Sequence, residues 1–180
     1  MTAWPCDQPR PLASVVNIVP GVTRADNAVV RLSARGEVCL YSQSPTELIV
    51  DVSGYYGAGA GGAHQAVVPM RRLDTRNGQG GHGRPGGGQI LTLPIAGRDG
   101  IPTTARAVRV NLVAVAPSAP TFVTAYPCSR YPPTVSNLNL EPAGAFRANG
   151  ATVPLDANGQ LCLYTLASTD LVLDIEGWVT

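Results

Sequence analysis

The sequence contains no lysine, and all thirteen of its lysine or arginine residues are arginine. This absence excludes sites that need a lysine amine, such as a Schiff base, a P-loop lysine or a Lys–Asn isopeptide cross-link. Charged residues are also scarce, at 14% against a usual ~25%, and the net charge is +1. We therefore expect neither nucleic acid nor an anionic membrane surface as the main partner.

Long apolar runs and helical patterns are absent as well. No run approaches the ~18–20 apolar residues that a spanning helix needs, so we expect no insertion into a membrane. No window of a dozen residues has the i, i+3, i+4, i+7 spacing of an amphipathic helix. Hydrophobic residues nevertheless make up 44% of the chain, which is enough for a sizeable core.

One segment of the sequence occurs twice. Residues 2–56 align with residues 124–179 at an offset of 122, which becomes 123 after an inserted residue near Gly150. The intervening residues, about 64–123, have no counterpart. The identities include Thr2/Thr124, Pro5/Pro127, Cys6/Cys128, Asn17/Asn139, Gly36/Gly159, Cys39/Cys162, Tyr41/Tyr164, Asp51/Asp174 and Gly54/Gly177.

The repeat predicts the organisation of the chain. Residues 64–180 form one complete unit, and residues 1–56 are the second half of another unit; we call these the complete unit and the half-unit. A Gly/Ala linker at 57–63 joins them.

Short β-branched or alternating stretches between turn residues predict an all-β fold. In the half-unit these stretches lie at 12–19, 27–33, 37–42 and 47–53. The whole chain offers about twelve short strands, which favours antiparallel β-sandwich or jelly-roll-like repeats. A threefold β-prism is the alternative, because 180 residues divide into three equal parts.

The four cysteines occupy the same two positions in each copy. Four cysteines permit three pairings, and the duplication favours Cys6–Cys39 and Cys128–Cys162. A zinc site is the alternative, but no Cys-x-x-Cys spacing occurs and neither histidine lies beside a cysteine. We therefore predict two disulfides and neither a metal nor a cofactor, and we expect a secreted or cell-surface protein.

Several motifs resemble one group of secreted proteins. They are RRLDTRNG at 71–78, AGRDGIPTTARAVRVNLVAV at 96–115, SNLN at 136–139 and LCLY at 161–164. Together they resemble the tandem β-rich repeats of actinobacteria, whose units end in a V-D-V-x-G-Y-F-like string; VDVSGYY at 50–56 is similar to it. The resemblance implies an accessory role beside extracellular hydrolases or in surface proteins.

Few residues are suited to catalysis, and we predict that the protein is not an enzyme. The two histidines, His64 and His82, lie in Gly-rich segments, where a general base is difficult to position. Asp74 begins an Asp-Thr-Arg sequence similar to the Asp-Thr-Gly of aspartic proteases, but Arg76 replaces the glycine. We interpret Asp74 and Arg76 as a structural ion pair, because side chains two apart share a strand face.

Aromatic residues are the first candidates for ligand binding. Tyr55, Tyr56, Tyr131 and Trp178 lie at predicted turns or strand ends, where an exposed ring can stack on a sugar. Aromatic residues make up only 6% of the chain, so these four are a large share of the candidates.

The Gly-rich run at 77–89 is the second candidate for ligand binding. A strand-like QILTLPI follows this run, whereas a phosphate-binding loop needs a helix there. We interpret the run either as a long mobile loop or as a loop that contacts a ligand through His82 and Arg84.

These features predict a non-catalytic extracellular binding or display module that attaches to a polysaccharide, the cell wall or a partner protein surface. The alternative is a structural stalk whose repeats pack on each other without a small ligand. The half-unit offers too little apolar area to cover both faces of a sheet. We expect it to pack its apolar face onto residues 64–180, with 64–123 as the natural partner, or onto another chain, with self-association through the edges of repeats.

Overall fold

The computed structural model of the protein describes residues 1–57, 59, 62–128, 131–141 and 143–180. Their regular structure consists of antiparallel strands in three sheets, and none of them forms a helix that could cross a membrane. An all-β, antiparallel fold is thus confirmed for these residues, with ten strands in place of about twelve. The strands are β1 (Thr2–Pro5), β2 (Val38–Tyr41), β3 (His64–Asp74), β4 (Ile90–Pro94), β5 (Ala107–Val115), β6 (Thr121–Pro127), β7 (Leu138–Leu140), β8 (Phe146–Pro154), β9 (Gln160–Thr165) and β10 (Asp170–Val179).

The complete unit forms two four-stranded sheets. One has the order β3-β10-β5-β8 and the other the order β4-β9-β6-β7. In the first sheet, strands from residues 64–123 alternate with strands from residues 124–180, so that β10 lies between β3 and β5. Neither segment can therefore build this sheet alone.

Both sheets contribute to one hydrophobic core. Leu73 on β3 and Leu112 on β5 are fully buried there, as are Leu93 on β4 and Leu163 on β9. These side chains belong to strands with alternating buried positions, which is the pattern of a sheet with one face inward. Among the described residues, every member of the core cluster lies between Leu73 and Ile175, so the half-unit adds nothing to it.

The half-unit forms the third sheet, from β1 and β2 alone. Its register pairs Ala3 with Leu40, and the aligned residues Ala125 and Leu163 are partners in the complete unit. The same local pairing therefore occurs in both copies. The three sheets do not form a threefold prism, because the two-stranded sheet lies outside the core.

A disulfide closes the paired strands in each copy. Cys6 is bonded to Cys39, and Cys128 is bonded to Cys162. Two disulfides indicate an oxidising, extracellular environment, since cytosolic thiols are kept reduced.

Three predicted strands of the half-unit are wrong. Residues 12–19, 27–33 and 47–53 form no strand, whereas the prediction at 37–42 corresponds to β2. The counterparts of the three in the complete unit are β7, β8 and β10, and each is paired with strand residues from 64–123. The half-unit contains no second copy of that segment, so these stretches lack the strand partners that their counterparts have.

The described residues show no strand pairing between the half-unit and residues 64–123, and the apolar side chains of the half-unit lie outside the core cluster of the complete unit, on which we expect them to pack. Strands β3 and β5 instead pair with β10, one on each side of it, within the complete unit. A hydrogen bond from Arg109 to Asn27, 2.8 Å long, connects the two parts. The predicted linker at 57–63 includes residues 58, 60 and 61, which lie outside the described residues.

Candidate functional site

Asp74, at the end of β3, is a buried carboxylate held by arginines. The Arg76 guanidinium donates to both of its oxygens, at 2.8 and 2.7 Å, and Arg71 Nη1 lies 3.4 Å away. The hydrogen bonds from Arg76 lower the pKa of Asp74 from 3.8 to about 2. A carboxylate with so low a pKa is a weak base at neutral pH, and the contacts are those of a structural ion pair.

A second arginine ion pair links β3, at the edge of this sheet, to the neighbouring strand β10. Arg71 on β3 donates to Asp174 on β10 through Nε at 2.8 Å and Nη2 at 3.2 Å. These contacts raise the pKa of Arg71. Bidentate geometry of this kind orients both groups, so the pair connects β3 to β10 in one register.

The Gly-rich run at 77–89 is anchored by Arg84. Its guanidinium donates to Asp170 at 2.6 Å, to the carbonyl of Ala116 at 2.6 Å and to the Ser168 hydroxyl at 3.1 Å. These contacts occupy the Nε and both Nη atoms, which leaves Arg84 little capacity for a ligand.

His82 in the same run also contacts the protein. Its Nε2 lies 3.1 Å from the carbonyl oxygen of Thr92 on β4. Further along the run, the Gly88 amide donates to the carbonyl of Thr165 at 2.8 Å. The contacts of Arg84, His82 and Gly88 favour a fixed loop over the mobile loop that the glycine content suggests.

The four aromatic candidates lie in different surroundings. Tyr131 is 94% exposed, whereas Trp178 is partly buried and packs against the edge of the core. Tyr55 and Tyr56 are exposed in the half-unit, and Tyr56 is 54% exposed. The structure thus does not gather the four rings into one surface.

Tyr56 lines a cleft of about 330 Å³ between the half-unit and the complete unit. The other lining residues are Asn27, Val29, His64, Arg109 and Thr152. Val29 and the Tyr56 ring are apolar, while the others offer an amide, an imidazole, a guanidinium and a hydroxyl. An aromatic ring beside neutral and cationic donors fits a polyhydroxylated ligand such as a sugar.

The strand pattern positions two residues of this cleft. His64 begins β3, and Arg109 lies on β5, where it hydrogen-bonds Asn27 and stands 3.6 Å from Glu176 on β10. No motif in the sequence predicts a binding role for the lining residues Asn27, His64, Arg109 and Thr152. The repeat marks Asn27, because this residue aligns with an identical Asn149. The other three lining residues have no comparable signal in the sequence.

A metal centre is not among the chemistries that the described residues offer, since they include no group of three His, Cys, Asp or Glu side chains placed to hold an ion. Comparison of the chain with protein-family models and with curated proteins finds no match. Support for the candidate site therefore comes from its geometry.

Proposed function

We propose that the chain is a non-catalytic extracellular module that binds a polysaccharide through the cleft at Tyr56. The observation that carries this proposal is the exposed Tyr56 ring beside the donors of Arg109, His64 and Thr152. Sugars are bound by this combination, because a ring covers their apolar face and polar side chains bind their hydroxyl groups.

The context of the proposal is the resemblance to the secreted tandem repeats of actinobacteria. The complete unit would be one sandwich-like repeat, displayed at the cell surface or beside a hydrolase. Two disulfides and a low content of charged residues suit an extracellular module of this kind.

The test is binding to insoluble polysaccharides and to a glycan array. Tyr56→Ala should weaken binding by about 2- to 12-fold, because the loss of a stacked ring costs roughly 0.5–1.5 kcal/mol. Tyr131→Ala is the matched control, since this tyrosine is exposed but does not line the cleft. Absence of binding to every polysaccharide, or equal losses in the two variants, would contradict the proposal.

A structural stalk or assembly element is the second candidate function. It is favoured by the apolar side chains that the half-unit leaves uncovered, among them Ile49 and Val52. Repeats that bury such side chains against one another would form a continuous β-structure without a small ligand. Light scattering of the purified chain tests this candidate, which predicts assemblies larger than a monomer.

A further inference from the structure

Residues 47–56 of the half-unit, here called the unpaired segment, align with β10 of the complete unit. Leu173 and Ile175 on β10 are 0% exposed, whereas their counterparts Val50 and Val52 are 61% and 86% exposed. In the complete unit, β10 is covered because β3 and β5 pair with its two edges. Among the described residues, no strand pairs with either edge of the unpaired segment.

We infer that the unpaired segment binds the first half of another unit of this repeat, a polypeptide with the strands of residues 64–123. The partner would place its own β3 and β5 on the two sides of the segment. This inference rests on one part of the second candidate function, that repeats pack on one another, and names the partner. It requires neither self-assembly of the purified chain nor glycan binding.

A glycine in the unpaired segment supports this partner. Gly177 on β10 lies against β3, where a Cβ would come within 2.7 Å of the Gln65 carbonyl oxygen. Its counterpart Gly54 has no atom within 4 Å of the same position, although its backbone does not require glycine. A docked β3 would explain the glycine at residue 54, since a side chain there would collide with the incoming backbone.

A carboxylate in the segment supports the same partner. Asp174 on β10 accepts two hydrogen bonds from Arg71, which belongs to β3. Its counterpart Asp51 lies in an apolar stretch of the half-unit. The β3 strand of a docked partner would bring an arginine to Asp51 in the same register.

One part of the half-unit, strands β1 and β2 with the segment that contacts β1, already has the local structure of its counterpart in the complete unit. Thr2 donates from its hydroxyl to the Ala13 carbonyl at 2.9 Å, and the aligned Thr124 donates to Val135 at 2.6 Å. The half-unit is therefore preformed on one side, which lowers the entropic cost of binding the missing strands.

A second copy of the chain is a less suitable partner than a first half with unused strands. In each copy, residues 64–123 are already paired with that copy's own residues 124–180. A second copy would have to break one complete unit in order to form another. A first half without its own second half has no such cost.

The experiment adds a second copy of residues 64–123 in front of Thr2 of the full chain. This junction reproduces the natural one, because Met1 aligns with Val123 and Thr2 with Thr124. Hydrogen exchange at the amides of residues 48–54 should be at least about 100-fold slower in the extended chain than in the original chain, since paired strands open rarely. Size-exclusion chromatography should show a soluble monomer.

Two glycine variants make the test specific. In the extended chain, Gly54→Thr should abolish the protection, because the new side chain would meet the β3 backbone. Gly57→Thr is the matched control and should leave the protection intact, since its counterpart in the complete unit is Thr180. In the original chain, neither variant should alter exchange, because both glycines face open space.

A charge exchange tests the predicted register. Asp51→Arg in the extended chain should reduce the protection, and Arg71→Asp in the added copy should restore it. If the added segment merely shielded residues 48–54 from solvent, the second change would not restore the protection.

Three results would overturn the inference. The first is unchanged exchange at residues 48–54 in the extended chain, and the second is an extended chain that is insoluble. The third is a dimer of the original chain in which these amides are already protected, because a second copy would then cover the segment. The glycan assay is independent of all three results. A monomeric original chain would contradict the self-assembly that the second candidate function predicts, and it would leave this inference unaffected.

Discussion

Arginine is the cation in every ion pair of the described residues, as the absence of lysine requires. A guanidinium can donate several hydrogen bonds in one plane, and Arg71 and Arg76 each bind a carboxylate through two nitrogen atoms. The carboxylates of Asp74 and Asp174 are thereby committed to the protein. Such residues stabilise the fold and orient its strands.

Asp74→Asn tests the contribution of the buried pair. It should lower the free energy of unfolding at pH 7 by about 2 kcal/mol, because hydrogen bonds to a charged acceptor are lost. Asp26→Asn is the control, since Asp26 is exposed and, among the described residues, its side chain accepts a hydrogen bond from the adjacent Asn27 amide alone. Urea denaturation of both variants gives the comparison, and equal stabilities would contradict the assignment.

The same pair predicts a pH dependence of stability. The pKa of Asp74 is lowered in the folded state, so its contribution is full above the ordinary value of 3.8. As the pH falls from about 4 towards 2, Asp74 is protonated in the unfolded state before it is protonated in the folded state, so this stability is lost. The Asp74→Asn variant should lose less stability over that interval, and parallel pH curves would count against the pair.

At this scale the sequence predicts local pairs and misses distant ones. Asp74 and Arg76 are two residues apart, and their spacing on a strand was enough to predict an ion pair. Arg84 contacts Ala116 and Asp170, which are 32 and 86 residues away. Its glycine-rich neighbours suggested a ligand-binding or mobile loop, because no local pattern reports such long-range partners.

At the scale of strands, the sequence shows which stretches are able to form a strand, but it does not show which of them find a partner strand. Residues 47–53 have the same β-branched pattern as β10, yet only β10 is a strand. A strand needs a neighbour for its backbone hydrogen bonds, and that neighbour is a separate stretch of chain. The all-β class and the two disulfides were predictable because they depend on composition and on the repeat.

The two disulfides should differ in their effect on the complete unit. Cys128→Ser with Cys162→Ser removes the disulfide that joins the residue after β6 to β9, with a sequence separation of 34. Its loss should lower the free energy of unfolding by about 2–4 kcal/mol. Cys6→Ser with Cys39→Ser should leave the unfolding of the complete unit unchanged, because this bond lies outside its core.

Fluorescence separates these two effects. Trp4 lies in the half-unit and Trp178 in the complete unit, so a Trp4→Phe background leaves one probe on β10. Thermal unfolding followed through Trp178 should shift for the Cys128/Cys162 variant alone. Equal shifts for both disulfide variants would show that the two parts unfold together.

At the scale of the whole molecule, the chain contains two second halves and one first half. Residues 64–123 are paired with 124–180, so one second half is complete and the other is not. The repeat in the sequence placed residues 64–123 and 124–180 in one complete unit, but it left open whether the half-unit also packs on the strands of 64–123. The sheet order β3-β10-β5-β8 answers this, because it places β10 inside the first half.

Deletion of residues 1–61 tests this division of the molecule. The remaining chain should fold with a melting temperature within about 4 °C of the full chain, because the deleted part adds no residue to the core cluster. The Arg109–Asn27 hydrogen bond would be lost, and replacement by water makes its cost small, about 1 kcal/mol. Asn27→Ala in the full chain is the matched control, since it removes the same hydrogen bond and leaves the Arg109–Glu176 ion pair in place, and it should reproduce whatever shift the deletion causes. A fall of 10 °C or more on deletion, without a comparable fall for Asn27→Ala, would mean that the half-unit stabilises the complete unit through contacts beyond this bond. The two parts would then have to be treated as one folding unit.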